Sequence, residues 1–323
     1  MRSNPPAATT EDVDRSSPWW AISLRGVAMG AADVVPGVSG GTMALILGIY
    51  PRFIAALSSL KLSLLRRLIA ALRQGAGALW KELVAADLHF LGFLAVGIIG
   101  AVVTLAKIIP DLIETYPATM NGLFFGMIVA STAVPYRMLT RRGPAEATTF
   151  VAATLLAFWI VGLGLFPVDA GLPFLFLSGA IAICAMLLPG ISGSFLLLIL
   201  GQYTRVLEAI HARELVVIAV FGAGCAVGLL SFSRVLQWLL THKRNPTLAA
   251  LCGLMVGSLR KIWPFEQPLE IPVTVGDKVV QDAEKIWPFD PGYAGPIVAP
   301  LIAMLAGFAL VAVLERLGRQ PKG

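Results

Sequence analysis

Two short stretches carry the residues best suited to chemistry in this chain. Ser39, Gly40, Gly41 and Thr42 follow Pro36-Gly37, and Ser192, Gly193 and Ser194 follow Pro189-Gly190. Glycines let a ligand come close to the backbone, hydroxyls add donors, and a helix that starts there presents unpaired N–H groups. That combination suits an anion, and phosphate in particular. Read on its own, each stretch can equally be a capped helix start with room for close packing. Arg52 and Arg205 follow the two stretches at the same distance and are candidates to neutralise a bound phosphate; each can instead snorkel to a headgroup. Asp33 lies three residues before Pro36. It can carry a proton for coupling, or it can be a helix cap or a partner for Arg25.

The two stretches are copies of one another. Pro36 to Arg52 aligns without a gap on Pro189 to Arg205 at an offset of 153 residues, with ten of seventeen positions identical. Met186 occupies the place of Asp33, so the half-sites are chemically unequal. A helix-breaking motif repeated inside apolar sequence is the pattern of a transporter whose substrate sits where helices break.

The elements that must position these residues are membrane helices. The chain has 323 residues, 57% hydrophobic and only 14% charged, well below the quarter or so usual in soluble domains. Spans of about 20 apolar residues are expected at 89–110, 118–138, 146–166, 214–240, 246–262 and 294–315. Residues 19–57 and 172–210 are long, apolar and broken by Pro-Gly-x-Ser-Gly. Each reads as a re-entrant hairpin, helix in and helix out on one side, because freed backbone groups cannot face lipid; two full spans per region is the alternative. The expected fold is therefore all-α and polytopic: an inverted repeat, 19–166 and 172–317, of one hairpin plus three spans per half. Three spans is odd, so the second copy enters from the opposite face.

Charge gives the orientation. Lys61, Arg66, Arg67, Arg73, Lys81, Arg137, Arg141, Arg142, Lys243, Arg244, Arg316, Arg319 and Lys322 fall on the side of the N-terminus. Lys107, Arg213, Arg260, Lys261, Lys278 and Lys285 fall on the other. The positive-inside rule makes the first side cytoplasmic, with both termini inside and 263–293 as an extracytoplasmic loop. Residues 1–18 read as a disordered tail with no cleavable signal core. Residues 60–73 read as an amphipathic helix on the cytoplasmic leaflet, with Leu64, Leu65, Leu68, Ile69 and Leu72 on one face. Lys-Ile-Trp-Pro-Phe occurs at 261–265 and 285–289, as aromatic anchors suited to the interface, around a small hairpin at Gly276-Asp277.

The net charge of +6 belongs to membrane topology and not to nucleic-acid binding. Cys184, Cys225 and Cys252, and His89, His211 and His242, match no metal-ligand spacing. No cofactor and no metal is expected, and no enzyme motif is convincing.

Met29 to Ala44, with Leu47-Gly48-Ile49-Tyr50 and the second Leu188-Pro189-Gly190-Ile191-Ser192-Gly193-Ser194, resembles the bacterial family first catalogued as domain of unknown function 368. The resemblance extends from about residue 20 to 317. It implies a polyprenyl-phosphate transporter in the cytoplasmic membrane, a flippase returning undecaprenyl phosphate from the outer to the inner leaflet, with membrane lipids as surroundings and protons as a candidate coupling ion. Undecaprenyl-pyrophosphate phosphatases share inverted repeats and a Pro-Gly-x-Ser motif that continues with Arg-Ser. Here Gly40 and Gly193 stand in the Arg position, and the acids that accompany that motif are missing, so hydrolysis loses its charge clamp and base. An anion or small-solute carrier is the third reading.

Overall fold

The computed structural model describes residues 17–34, 39–105, 108–162, 171–268, 273–275, 278–280, 283–291, 293 and 295–318. Pro36 and Gly37 of the first break, Lys107, the turn residues Gly276-Asp277, Arg319, Lys322 and the tail up to residue 16 lie outside them.

The described residues are predominantly helical. Helix α1 (Trp19–Val34) is followed by a short α2 (Gly40–Ile46) and by α3 (Tyr50–Ser58). The second copy repeats this as α10 (Leu172–Leu187), α11 (Gly193–Ile199) and α12 (Tyr203–Ala212), and the bounds of α1 and α2 shift by the same 153 residues that separate the motifs. The stretch after each Pro-Gly break is not the single helix that the sequence led us to expect. It breaks again at Leu47-Gly48 and at Leu200-Gly201, and α11 and α12 are bent by 112°. The cause is local. Gly48 and Gly201 adopt φ of +72° and +66°, which glycine reaches without a Cβ penalty. Ile49 N donates back to Ala44 O and Gln202 N to Leu197 O, both at 2.9 Å, the helix-ending pattern of a left-handed glycine.

Between the two broken segments run α4 (Leu62–Gln74), α5 (Ala76–Ala85), α6 (Leu88–Leu105), α7 (Ile108–Thr115), α8 (Pro117–Arg137) and α9 (Pro144–Val161). After the second come α13 (Leu215–His242), α14 (Arg244–Ser258), four three-residue strands and α15 (Val298–Gly318). Helices α6, α8, α9 and α13 are long and apolar enough to span a membrane, and α11 with α12 forms one further bent candidate. The expected span at 246–262 is the 15-residue α14, followed by a turn. At 1.5 Å per residue it covers about 22 Å, short of the roughly 30 Å hydrocarbon core.

Four close helix pairs organise the bundle: α1 with α6, α10 with α13, α8 with α15, and α9 with α14. Small residues bring the backbones together. Gly26 and Gly30 face the carbonyls of Leu94 and Ile98, and Gly224 and Gly228 face those of Phe176 and Ala180. Gly122 and Gly126 abut Pro300 and Met304, while Gly253 and Gly257 abut Phe150 and Thr154. These last four glycines belong to a second duplicated motif, Gly-Leu-x-x-Gly at 122–126 and 253–257. The two helices that carry it meet and run antiparallel: Thr140 N donates to Asn245 Oδ1 at 3.1 Å, and Cys252 Sγ contacts Thr132 O at 3.6 Å.

The amphipathic segment forms α4, with Leu64 buried and Leu65, Ile69 and Leu72 exposed. Helix α5, which the sequence reading did not foresee, packs back on it. In the late loop β1 (Glu266–Pro268) pairs with β4 (Ala283–Lys285) and β2 (Val273–Val275) with β3 (Lys278–Val280), both antiparallel.

Candidate functional site

The two breaks meet inside the bundle. A helix end leaves carbonyls without intrahelical partners, and in an apolar setting each unsatisfied group costs several kcal/mol, about the cost of burying a lone amide. At the C-terminal end of α10 the first repeat supplies the donors. Ser39 Oγ donates to Met186 O at 3.2 Å, and Tyr50 OH donates to Leu187 O at 2.8 Å. In the other direction Gly190 N donates to Thr42 Oγ1 at 3.0 Å. Gly190 itself has φ of +89° and presses on Met255 of α14.

The first break is also held from within. Ser39, in an extended conformation, accepts from Gly41 N at 3.1 Å and caps α2. Asp33 Oδ1 accepts from Gly40 N at 2.7 Å, so the carboxylate bridges the gap between α1 and α2. Gly40 is the residue that permits this: a Cβ there would lie 2.6 Å from Asp33 Oδ2. Gly41 is equally confined, with the carbonyls of Met186 and Leu187 at 3.1 and 3.2 Å from a Cβ position.

The second break is different. Ser192 makes no side-chain cap; its hydroxyl bonds that of Ser194 at 2.8 Å. Ser194 is exposed, whereas Ser39 and Thr42 are 1% exposed. Gly193 packs on Ala182 O, 2.5 Å from a Cβ position. The hydroxyls of the first break are thus engaged in joining the repeats, and those of the second form a pair that reaches the surface.

The two arginines are placed unequally as well. Arg52 forms a two-pronged ion pair with Asp87, Nε to Oδ2 and Nη2 to Oδ1 both at 2.7 Å, and lies 4.1 Å above the Phe90 ring. Arg205 Nη1 donates to the buried Gln202 Oε1 at 3.4 Å. Asp87 and Tyr50 are site residues that the sequence reading did not single out. Tyr50 had a signal, since it matches Tyr203 in the repeat; Asp87 had none, because its pairing spans 35 residues. Arg234, a polar residue within α13, donates to Leu60 O at 2.9 Å and so closes the end of α3. Among the described residues no group of three His, Cys, Asp or Glu side chains can hold a metal ion.

The Tyr50 hydroxyl gives a direct test of this interlock. Tyr50→Phe keeps the ring and strands Leu187 O, so thermal unfolding in detergent is expected to show a loss of about 1–3 kcal/mol. Tyr203→Phe alters an exposed ring and is expected to change nothing. Equal melting curves for the two variants would remove the interlock from the account.

Comparison with known proteins adds the chemistry. The family described as VCA0040-like, undecaprenyl phosphate translocase-like, matches residues 29–279. A "Polyprenyl-phosphate transporter" of Vibrio cholerae is 39% identical over 298 residues, 91% of this chain and 95% of that one. A "Polyprenyl-phosphate transporter" of Staphylococcus aureus is 31% identical over 265 residues, 76% and 86% of the two chains. No solved structure matches the chain.

Proposed function

The chain belongs to the undecaprenyl phosphate translocase-like family, and from that premise we propose how it acts as a polyprenyl-phosphate transporter. The headgroup binds where the two breaks meet, and the two repeats, inverted relative to each other, open that place in turn to either leaflet. The observation that carries this reading is the contact between the breaks themselves, Ser39 to Met186 and Thr42 to Gly190. Substrate sites of repeat-built transporters lie at such a junction. The antiparallel run of α8 and α14, which bear the same glycine motif, favours the inversion.

A phosphate monoester dianion cannot cross hydrocarbon unaided. Ser192, Gly193 and Ser194 hold it, with Ser39, Gly40, Gly41 and Thr42 as the facing wall. Arg205 supplies positive charge, and Arg52 does so when it leaves Asp87. The cargo is undecaprenyl phosphate, moved from the outer to the inner leaflet of the bacterial cytoplasmic membrane. Arg137, Arg141, Arg142, Lys243, Arg244 and Arg316 sit at or beside the helix ends on the side proposed as cytoplasmic. Asp33, the acid that bridges the first break, couples the cycle to a proton. The reaction is movement and not hydrolysis, in keeping with the glycines that replace an arginine in each motif.

The test is a reconstituted assay that follows undecaprenyl phosphate between leaflets while released phosphate is measured in parallel. Ser192→Ala with Ser194→Ala is expected to slow transport by about tenfold or more, the worth of one charge-assisted hydrogen bond. Asp33→Asn is expected to transport with no dependence on pH. Release of phosphate in step with turnover would make the protein a phosphatase. Unchanged transport by a folded Ser192/Ser194 variant would move the headgroup away from the second break, and pH-dependent transport by Asp33→Asn would end the coupling role.

A further inference from the structure

The two Lys-Ile-Trp-Pro-Phe copies fold against one another. Trp263 Nε1 donates to Ile286 O at 2.8 Å, Ile286 N donates to Phe265 O at 3.0 Å, and the Trp263 and Trp287 rings stack at 6.0 Å. The pairing brings the two lysines together: Lys285 Nζ donates to Lys261 O at 3.2 Å. Arg260 is next in the chain, its guanidinium 4.4 Å over the Phe158 ring and donating to Phe158 O. Lys261 Nζ lies 4.5 Å over the ring of Phe195, the residue after Ser194, so the cluster borders the second break.

Two features of this cluster need a reason. Like charges are gathered where they could have been dispersed. Burial, with Lys261 and Arg260 nearby, pushes the Lys285 ammonium down to about 8, and its ion-pair partner is the Glu266 carboxylate. The cluster also lies past the C-terminal end of α14, away from the cation-rich end at Arg137 and Arg316. A fold that crowds cations at its cation-poor end, next to the exposed Ser194 hydroxyl, is arranged for an anion. Beside it Trp287 and Phe289 are 60% and 70% exposed, an apolar surface for whatever is attached to that anion.

We infer that Lys261 and Lys285, with Ser194 beside them, form a loading site for a phosphate monoester borne on a lipid, from which the headgroup passes to the second break. The inference rests on the proposed transport of polyprenyl phosphate and assigns the place where the cargo is first held. Free phosphate shares the headgroup chemistry; only the lipid engages Trp287 and Phe289.

The experiment uses the full-length wild-type protein in nanodiscs of zwitterionic lipid. Acylation of each lysine by an impermeant amine reagent is followed by mass spectrometry, with farnesyl phosphate or inorganic phosphate as probe. Farnesyl phosphate is expected to slow acylation of Lys261 and Lys285 by about tenfold at saturation, and Lys243 not at all. The Lys261→Gln/Lys285→Gln variant is expected to bind farnesyl phosphate about tenfold more weakly, and the Lys261→Arg/Lys285→Arg variant nearly as wild type. Trp287→Ala is expected to weaken farnesyl phosphate alone. Unprotected Lys261 and Lys285 under conditions where the Ser192→Ala/Ser194→Ala variant loses binding would overturn the loading site and leave the transport reading standing. No binding of farnesyl phosphate to the wild-type protein, together with no transport, would overturn that reading itself. Equal protection by inorganic phosphate at the same concentration would overturn the lipid assignment.

Discussion

Gly257→Val and Gly126→Val are each expected to abolish the monodisperse, folded protein in detergent. A side chain at Gly257 would meet the Thr154 carbonyl, with the Ala157 Cβ at 2.6 Å and the Phe158 N at 2.9 Å. At Gly126 it would meet the Met304 carbonyl and the Met304 Cα at 2.9 Å. These neighbours are backbone or Cβ atoms of a packed helix and cannot swing away. Overpacking costs typically about 1–3 kcal/mol even where side chains can adjust. Here the whole α9–α14 or α8–α15 contact must separate, against a total stability of order 10 kcal/mol. Gly222 is the control, since nothing lies within 4 Å of its Cβ position; Gly222→Val is expected to elute as wild type. Size-exclusion profiles of the three variants decide the matter. A Gly257→Val protein as monodisperse as Gly222→Val would show that close helix contact is not what holds the repeats together.

The second large effect is expected at Arg52 and Asp87. Their side chains are 10% and 26% exposed, and removing one partner of such a pair leaves the other poorly solvated, at a cost of about 3 kcal/mol. Asp87→Ala carries a further penalty because Asp87 has φ of +55°, a left-handed conformation that costs alanine about 1 kcal/mol. Asp87→Asn tolerates that backbone and keeps an acceptor, so it is expected to be the milder change. In a double-mutant cycle, Arg52→Ala with Asp87→Ala should destabilise by about 1–3 kcal/mol less than the sum of the single changes. Strict additivity in thermal unfolding would mean that the pair is not coupled. The same variants bear on transport, because Asp87→Asn loosens Arg52 without removing it.

Much of this architecture was legible in local sequence. Pro-Gly-x-Ser-Gly announced both breaks, because Pro and Gly interrupt a helix ladder wherever they occur. The amphipathic residues 60–73 announced α4. The second break at Gly48 and Gly201 was written in the same matched residues, Leu-Gly in both copies, but an isolated glycine in an apolar run reads as packing until its φ is known. The short α14 was hidden because hydropathy continues past Ser258 through Leu259 and Ile262 into the turn. The candidate site was legible in residue type and not in allegiance. Ser39 and its repeat equivalent Ser192 look alike in sequence, yet Ser39 joins the repeats, as Thr42 does, and Ser192 pairs with Ser194, which reaches the surface. That difference depends on contacts 147 and 148 residues apart, which no local pattern encodes.

The pairing of α8 with α15 and of α9 with α14 has a consequence for biogenesis. Each pair takes one helix from either half of the chain. A ribosome that has delivered Pro117–Val161 to the membrane must still synthesise α10 to α13 before Arg244–Ser258 exists, and the late loop as well before Val298–Gly318 does. Until then the glycine faces at Gly122 and Gly126 have lipid for a neighbour in place of their partner backbone. Assembly therefore waits on the end of translation, and the long-range contacts that complete it are of the slow, exposed kind. Nascent chains halted before Val298 should be the ones that membrane quality-control proteases remove.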